Sequence, residues 1–298
     1  MKSIKSIHFP AEWQTQSAIM LTWPHVQTDW LPILDEVVPC FVAIAKAVIP
    51  CEKLIIVCQS VDKVKKDLGN IDYSQIIFRE IPSNDTWARD HGPISVIANG
   101  TPCLLDFTFN AWGLKFPANH DNQITKRLHE SGAFRSEVLL KNMQFMVLEG
   151  GSIESDGAGT ILTTAQCLLS PNRNNYKTQR EIDEFLRFIF EAEQILWLHH
   201  GYLAGDDTGS HIDTLARFCD AETIAYVQCA DTSDEHYTEL SAMESELKAF
   251  KTLSGNPYRL LPLPMAAPVY DKGERLPATY ANFLIINDAV LMPTYNSP

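Results

Sequence analysis

A repeated order of elements is the feature that most constrains the fold of this 298-residue chain. Apolar periodicity predicts helices over 30–48, 61–68, 120–131, 178–193 and 238–253. Short β-rich runs predict strands over 53–59, 74–81, 144–149, 194–198 and 258–263. Hairpin-like pairs follow, with turns at residues 99–100, near 156–157 and near 287–288. Helix, strand, polar loop and hairpin therefore recur in that order.

The polar loops of this pattern are spaced almost evenly and carry the unusual residues. They cover 84–93, 149–157 and 206–213. Asp90 and Glu149 are 59 positions apart, and Glu149 and His211 are 62 apart. A spacing near 60 predicts a modular α/β fold, built from similar units around an axis, in which each unit brings one loop to a shared central site.

The composition excludes several classes of function. There are 37 acidic and 24 basic residues, and no basic patch stands out, so a nucleic-acid partner is not expected. No signal peptide begins the chain, and no apolar run approaches the roughly 18 residues of a membrane span. Seven scattered cysteines without C-x-x-C spacing indicate reduced thiols and a cytoplasmic protein, without a structural zinc site or disulfides.

The first polar loop, "NDTWARDHGP" (84–93), offers a carboxylate beside an aromatic residue. Asp90 is suited to accept hydrogen bonds from a planar cation, because carboxylate and guanidinium form a strong bidentate pair. Trp87 would then form a wall of the pocket. The structural alternative is a salt-bridged surface loop with Trp87 packed inward.

The second loop places Glu149 at a strand end, where Gly150 and Gly151 allow a sharp turn. A carboxylate in this place can orient a histidine and favour its imidazolium form. Alternatively, Glu149 only caps the loop. Glu154 and Asp156 are interpreted as turn residues.

The third loop, "GDDTGSHIDTLARF" (205–218), surrounds one histidine with carboxylates. His211 is the candidate general acid and base. If the segment is extended, Asp213 points to the same side as His211. Asp207 could face the far end of a long cationic substrate. A histidine near a strand can also be purely structural.

A metal or an organic cofactor is not predicted. His211 is the only histidine with an obvious carboxylate partner in its loop, and His199-His200 fits no H-E-x-x-H pattern. Phosphate-loop and dinucleotide fingerprints are absent from the sequence.

Six segments together resemble one family of enzymes. They are "PAEWQTQSAIMLTWP" (10–24), "NDTWARDHGP" (84–93), "FNAWG" (109–113), "EGGSIESDGAGTILTTAQCLLSPNRN" (149–174), "DDTGSHIDTLARF" (206–218) and "YANFLIIN" (280–287). They resemble the agmatine deiminase branch of the guanidine-modifying pentein superfamily, which includes the bacterial peptidylarginine deiminases.

The resemblance implies a single α/β domain over 1–298, folded as a five-bladed pseudo-symmetric propeller. It implies hydrolysis of agmatine to N-carbamoylputrescine and ammonia, in which a cysteine thiolate attacks the guanidinium carbon and water resolves the thiouronium. Asp90 and Asp213 would grip the guanidinium, and His211 would transfer protons.

The same resemblance assigns three supporting residues. Glu149 would hold His211, Trp87 would line the pocket, and Asp207 would attract the amine end of agmatine. The expected partner is therefore a small cationic guanidine compound, and a homodimer is the default oligomeric state.

The sequence departs from the family in two places. The family's G-G-x-x-H-C loop is missing, so we expect the chain to be short at its C-terminus, with an incomplete last blade and the cysteine beyond residue 298. Cys167 matches a cysteine that the family carries in a structural hairpin. Asp207 stands where glutamate is usual and reaches less far. Arginine or peptidylarginine as substrate, or non-catalytic guanidine or polyamine binding, are the alternatives.

Overall fold

The computed structural model describes residues 6–175 and 177–295. Its helices are α1 (Leu34–Val48), α2 (Val61–Leu68), α3 (Ala88–His91), α4 (Ala111–Leu114), α5 (Ile124–Glu130), α6 (Ala165–Leu168), α7 (Pro171–Asn174), α8 (Gln179–Phe190) and α9 (Tyr237–Ala249). The five predicted helices are confirmed as α1, α2, α5, α8 and α9. Within the described part of the chain, no helix is long and apolar enough to cross a membrane.

The described strands are short and group into separate sheets. They are β1 (Ile7–His8), β2 (Ala18–Thr22), β3 (Lys53–Cys58), β4 (Ile76–Glu80), β5 (Ile94–Ala98), β6 (Thr101–Thr108), β7 (Leu139–Val147), β8 (Ile153–Ser155), β9 (Thr160–Thr164), β10 (Gln194–Leu198), β11 (Ala216–Asp220), β12 (Thr223–Gln228), β13 (Arg259–Pro264), β14 (Val269–Asp271), β15 (Glu274–Leu276), β16 (Leu284–Ile286) and β17 (Ala289–Leu291). The five predicted strands are confirmed as β3, β4, β7, β10 and β13.

One arrangement of strands occurs three times. An antiparallel hairpin is followed by helix and then by a strand that pairs parallel with the hairpin's second strand: β5-β6 with β7, β8-β9 with β10, and β11-β12 with β13. The sheet β2-β3-β4 is parallel throughout, and β16-β17 is a further hairpin. The α/β class that the element order predicts is confirmed.

The predicted Asn-Gly turn shows how local sequence fixes one hairpin. Asn99 has φ 49° and Gly100 has φ 80°, both left-handed, and they join β5 to β6. This two-residue loop matches the twist of the flanking strands, and asparagine and glycine tolerate the conformation.

Helices and sheets bury several apolar clusters rather than one. The largest unites the sheet β5-β6-β7 with β8, β9 and helix α8, and includes Leu105, Met146 and Leu186. A second lies between the sheet β11-β12-β13 and helix α9. Because rigid cores hold the strands, the loops at the strand ends are held in fixed places, and three of them meet.

Candidate active site

Three polar turns from distant parts of the chain pack together around Gly151. The helix Ala88–His91 and the 3₁₀ turn Ile212–Thr214 both contact the 3₁₀ turn Gly150–Ser152. A Cβ on Gly151 would lie 2.6 Å from His211 Nδ1 and 2.7 Å from both Asp90 Oδ1 and Asp213 Oδ2. The three side chains converge because glycine leaves them the space.

Asp90 is buried and held at both oxygens. Its Oδ1 accepts a hydrogen bond from the Gly151 backbone N–H at 3.0 Å, and its Oδ2 accepts one from Trp112 Nε1 at 3.0 Å. His211 Nδ1 is 3.5 Å from Oδ1. The carboxylate is therefore fixed in orientation before any ligand arrives.

Asp213 differs from Asp90 in having an unused acceptor. Its Oδ1 is buried and has no hydrogen-bond partner within 6–175 and 177–295, and its Oδ2 lies 3.7 Å from Arg89 Nε. Burial raises the pKa of Asp213, although His211 and Arg89 act in the opposite direction. A buried acceptor without a donor is costly, so it points to a ligand that donates.

His211 is the positive member of the group. Burial lowers its pKa, but the carboxylate of Asp90, then Cys167 and Glu149, raise it by more, to about 10. The ring is 1 % exposed, and its Nε2 is buried with no hydrogen-bond partner among the described residues. An imidazolium beside two carboxylates is therefore the form present at neutral pH.

The segment 211–213 is not extended, which was the condition under which His211 and Asp213 would point to the same side. Residues Ile212–Thr214 form a 3₁₀ turn, closed by the Leu215 N–H on the Ile212 carbonyl at 3.0 Å. His211 and Asp213 nevertheless face the same glycine, because the turn folds both toward Gly151.

The prediction that Glu149 holds His211 directly needs correction. Both Glu149 oxygens accept from Arg173 Nε, at 2.9 and 3.1 Å, and the pair is buried. Arg173 also donates to the backbone carbonyls of Thr208 and Cys167. The guanidinium is the stronger partner for a buried carboxylate, so Glu149 acts on His211 through its charge and ties the third loop in place through Arg173.

Cys167 lies in this cluster rather than in a hairpin. It occupies helix α6, directly after β9, and is completely buried. Its thiol, a Glu149 oxygen and a ring nitrogen of His211 lie within 4.8 Å of one another, a spacing that a metal ion could bridge. The Arg173 guanidinium already occupies Glu149, so the charge balance favours the bound arginine over a further cation.

A cavity of about 310 Å³ lies beside the first loop and shares Trp112 with the Asp90 site. Trp87, Trp112, Phe109 and Phe116 supply aromatic lining, and Asp29, Asp85 and Asp121 supply carboxylates. Trp87 is 41 % exposed, so it faces the cavity rather than packing inward.

Asp207 lies outside the residues that line this cavity. Its backbone carbonyl accepts a hydrogen bond from Lys115 Nζ, and the residue is exposed. Partial burial raises the pKa of Asp207 while Lys115 lowers it, and Asp29 of the cavity adds a like charge. Asp207 therefore interacts electrostatically with Asp29, one of the carboxylates that line the cavity.

Two residues of the site were not assigned from sequence. Trp112 and Arg173 lie in the segments "FNAWG" and "SPNRN", which carry the resemblance, yet neither motif alone indicates which carboxylate its side chain binds. The only sequence signal for them is that each segment follows a carboxylate loop along the chain and contains a side chain that can donate hydrogen bonds.

The arrangement suits a planar cation. Two carboxylates face one point, one of them with a free acceptor, and an imidazolium stands beside both. Such a set can bind a guanidinium through paired charge-assisted hydrogen bonds and deliver a proton to a leaving nitrogen.

Comparisons with known proteins agree with this geometry. The model of the Porphyromonas-type peptidyl-arginine deiminase family matches residues 8–298. Agmatine deiminase of Pseudomonas aeruginosa (strain LESB58) is 31 % identical over 97 % of this chain and 83 % of its own length.

Two solved structures are also similar. A Cys-to-Ser variant of C. jejuni agmatine deiminase with substrate bound has a TM-score of 0.90 and 40 % identity, over 97 % of this chain and 83 % of that one. A Porphyromonas gingivalis structure, provisionally described as an arginine deiminase, has a TM-score of 0.94 and 54 % identity, over 98 % and 86 %. With its three loops converging on Gly151, the chain belongs to the Porphyromonas-type peptidyl-arginine deiminase family, together with the agmatine deiminases.

Proposed function

We propose that this protein is an amidine hydrolase that converts agmatine to N-carbamoylputrescine and ammonia. The observation that carries the proposal is that Asp213 faces Gly151 through Oδ2, together with Asp90, while its buried Oδ1 has no hydrogen-bond partner among the described residues. A guanidinium offers donors to both carboxylates at once. The agmatine deiminases among the relatives and solved structures support agmatine as the substrate.

The residues divide the reaction between them. Asp90 and Asp213 bind the guanidinium nitrogens. Their negative charges continue to balance the positive charge on these nitrogens as the central carbon becomes tetrahedral. His211 donates a proton to the leaving ammonia, then accepts one from the water that attacks the thiouronium. Its raised pKa, about 10, keeps it protonated for the first of these steps.

The nucleophilic cysteine stays a prediction from the family resemblance. Cys167 is not assigned this part, because it is completely buried behind the His211 and Glu149 side chains and has no exposed face for a substrate. A thiolate must reach the guanidinium carbon to attack it.

The acidic cavity favours a substrate with a second positive charge. Asp29, Asp85 and Asp121 line it, and Asp207, outside the lining, interacts electrostatically with Asp29. The amine of agmatine would lie in the field of these carboxylates, whereas an α-carboxylate would be repelled.

We infer as well that the sheets are blades of a five-bladed pseudo-symmetric propeller in one domain. Three hairpin-helix-strand units, the parallel sheet β2-β3-β4 and the hairpin β16-β17 support five groups around the site. Loops from three of these groups meet at Gly151. A homodimer stays a prediction that light scattering in solution would test.

Arginine is the second candidate substrate, and one contact favours it. Lys115 Nζ donates a hydrogen bond to the Asp207 backbone carbonyl, so a cation stands beside the residue that the sequence predicts to face the far end of the substrate. A carboxylate there would be attracted. The P. gingivalis neighbour is consistent with this alternative.

The test is to incubate the protein separately with agmatine, arginine and a blocked peptidylarginine. Mass spectrometry would detect the guanidine-to-urea change, an ammonia assay would follow the rate, and calorimetry would measure binding. Product from agmatine above the other two supports the proposal. Preference for arginine selects the second candidate, and tight agmatine binding without product indicates a non-catalytic binding protein.

A matched pair of variants makes the test specific. Asp213→Asn should abolish agmatine binding, whereas Asp156→Asn, a turn aspartate whose Oδ1 accepts the backbone N–H groups of Ala158 and Thr160, should not. Equal binding by both variants would contradict the assignment of the guanidinium site.

A further inference from the structure

Trp112 contacts both the cavity and the Asp90 carboxylate. It lines the cavity, it is 7 % exposed, and its Nε1 donates to Asp90 Oδ2 at 3.0 Å. Its ring meets Trp87 edge to face, with centroids 5.8 Å apart and planes at 79°, and meets Phe109 at 5.4 Å and 87°. These edge-to-face contacts fix the plane of the indole.

The backbone that carries Trp112 adopts a rare conformation. Four consecutive residues have left-handed φ values: Ala111 at 51°, Trp112 at 58°, Gly113 at 91° and Leu114 at 69°. Only one of them is glycine, and the backbone of other residues seldom adopts positive φ values. Such a run persists only where the surroundings enforce it, and it concentrates at functional sites.

Hydrogen bonds from Asn110 enforce this run. The Asn110 Oδ1 accepts the Gly113 N–H at 2.9 Å, and its Nδ2 donates to the Asn172 carbonyl at 2.9 Å. Asn172 precedes Arg173, which holds Glu149. The short helix Pro171–Asn174 therefore supports the loop of Trp112 and the partner of Glu149 together.

A carboxylate with one fixed oxygen can still rotate. Gly151 N–H holds Asp90 Oδ1, and the same oxygen is 3.5 Å from the His211 ring. Without the indole donor at Oδ2, the carboxylate can turn toward the imidazolium and form a closer ion pair. That internal pair would compete with the substrate guanidinium for Asp90.

We propose that Trp112 is a positioning residue for Asp90. Its indole N–H, held by the left-handed run 111–114, keeps the carboxylate aimed at the substrate rather than at His211. The inference rests on the proposed function for its kinetic consequences, and on geometry alone for the hydrogen bond.

Trp112→Phe is the direct kinetic test, because it keeps an aromatic ring and removes the donor. Loss of one hydrogen bond to a charged group predicts a fall in kcat/KM for agmatine of about tenfold or more. The loss should appear mainly in KM, because Asp90 binds the guanidinium in the ground state as well as in the transition state. A change in thermal stability alone would lower the amount of active enzyme, and so kcat, without raising KM.

Trp23→Phe is the matched control. Trp23 is also a buried tryptophan, and its Nε1 donates to the Asp67 carboxylate at 3.1 Å in a core away from the site. It should leave kcat, KM and kcat/KM for agmatine unchanged. Equal effects of the two variants, or unchanged catalysis in Trp112→Phe, would overturn the proposal.

Nuclear magnetic resonance of the indole N–H groups tests the hydrogen bond without relying on activity. The Trp112 resonance should shift in Asp90→Asn, and the Trp23 resonance should not. An unmoved Trp112 resonance overturns the proposal. If wild-type protein neither binds nor converts agmatine, the proposed function fails, while this shift still decides the place of Trp112.

Discussion

Two buried charged clusters lie side by side, and they differ in whether their acceptors are satisfied. The site cluster is Asp90, His211 and Asp213. The ion network is Glu12, Glu154 and Arg217, with Arg89 between the two clusters. Arg89 Nη2 is 2.7 Å from Glu12 Oε2, while its Nε is 3.7 Å from Asp213 Oδ2.

The ion network is internally complete. Arg217 binds Glu154 and Glu12, and its Nη1 donates to the backbone carbonyls of Phe283 and Ala281 at 2.6 and 3.2 Å. The Glu12 Oε1 accepts the Ile285 N–H at 2.8 Å. The network therefore fastens the segment around 281–285 to the core.

The site cluster leaves buried atoms unpaired. Asp213 Oδ1 and His211 Nε2 have no hydrogen-bond partner among the described residues. The two clusters have similar composition but differ in whether their buried polar atoms have partners within the protein. The paired charges of the ion network maintain the architecture, whereas the unpaired atoms of the site cluster are available to a ligand.

The largest expected effect comes from Asp213→Asn. Removing one charge from the guanidinium clamp should lower kcat/KM for agmatine by about 10²–10³-fold. Thermal stability should change little, because the buried Oδ1 has no donor to lose among the described residues and the Oδ2 contact with Arg89 is long, at 3.7 Å. Activity assays and thermal unfolding measure the two effects. A large loss of stability would place Asp213 in the architecture instead.

Arg217→Met should have the opposite signature. Removing the arginine leaves Glu154 buried without its main partner, which should reduce the free energy of unfolding by about 3–5 kcal/mol. Denaturant unfolding measures the loss. Arg180→Met, which breaks an exposed pair with Glu184, should leave it nearly unchanged, because solvent screens that pair. Similar losses in the two variants would contradict the distinction.

The contribution of His211 to the free energy of unfolding should depend on pH, which tests its place in the site cluster. Its folded-state pKa is raised to about 10, above the ordinary histidine value of 6.5. The stabilisation is therefore fully present below pH 6.5 and is lost as pH rises through 10. Comparing wild type with His211→Gln by denaturant unfolding at several pH values should show a difference that shrinks across this window. A difference that grows toward high pH would show that the histidine is buried neutral.

Lys115→Met should give the smallest change in kinetics, because Lys115 is not among the residues that line the cavity. Lys115 places one positive charge beside Asp207, so its removal should improve the KM for agmatine by about two- to fivefold at low salt and less at high salt. For arginine the KM should worsen. Steady-state kinetics with both substrates, with Lys126→Met as an exposed control, would reveal the split. Equal changes in KM for both substrates would show that Lys115 does not discriminate between them.

Local sequence was sufficient for the elements and for the choice of loops. Apolar periodicity located α1, α2, α5, α8 and α9, and Asn-Gly located one hairpin turn, because these signals depend on residues a few positions apart. The even spacing of the polar loops indicated that Asp90, Glu149 and His211 belong together. Strands β1, β2, β12, β14 and β15 were missed. All of these except β12 are only two to five residues long, and such short runs carry little period.

The tertiary structure alone decided which charge pairs with which. Glu154 was interpreted as a turn residue, yet it binds Arg217, 63 positions away, and Glu149 binds Arg173 rather than His211. Sequence determined that carboxylates gather in three evenly spaced loops. Only the packing of those loops decided which carboxylates are neutralised within the protein and which remain open, because pairing depends on distances between residues far apart in the chain.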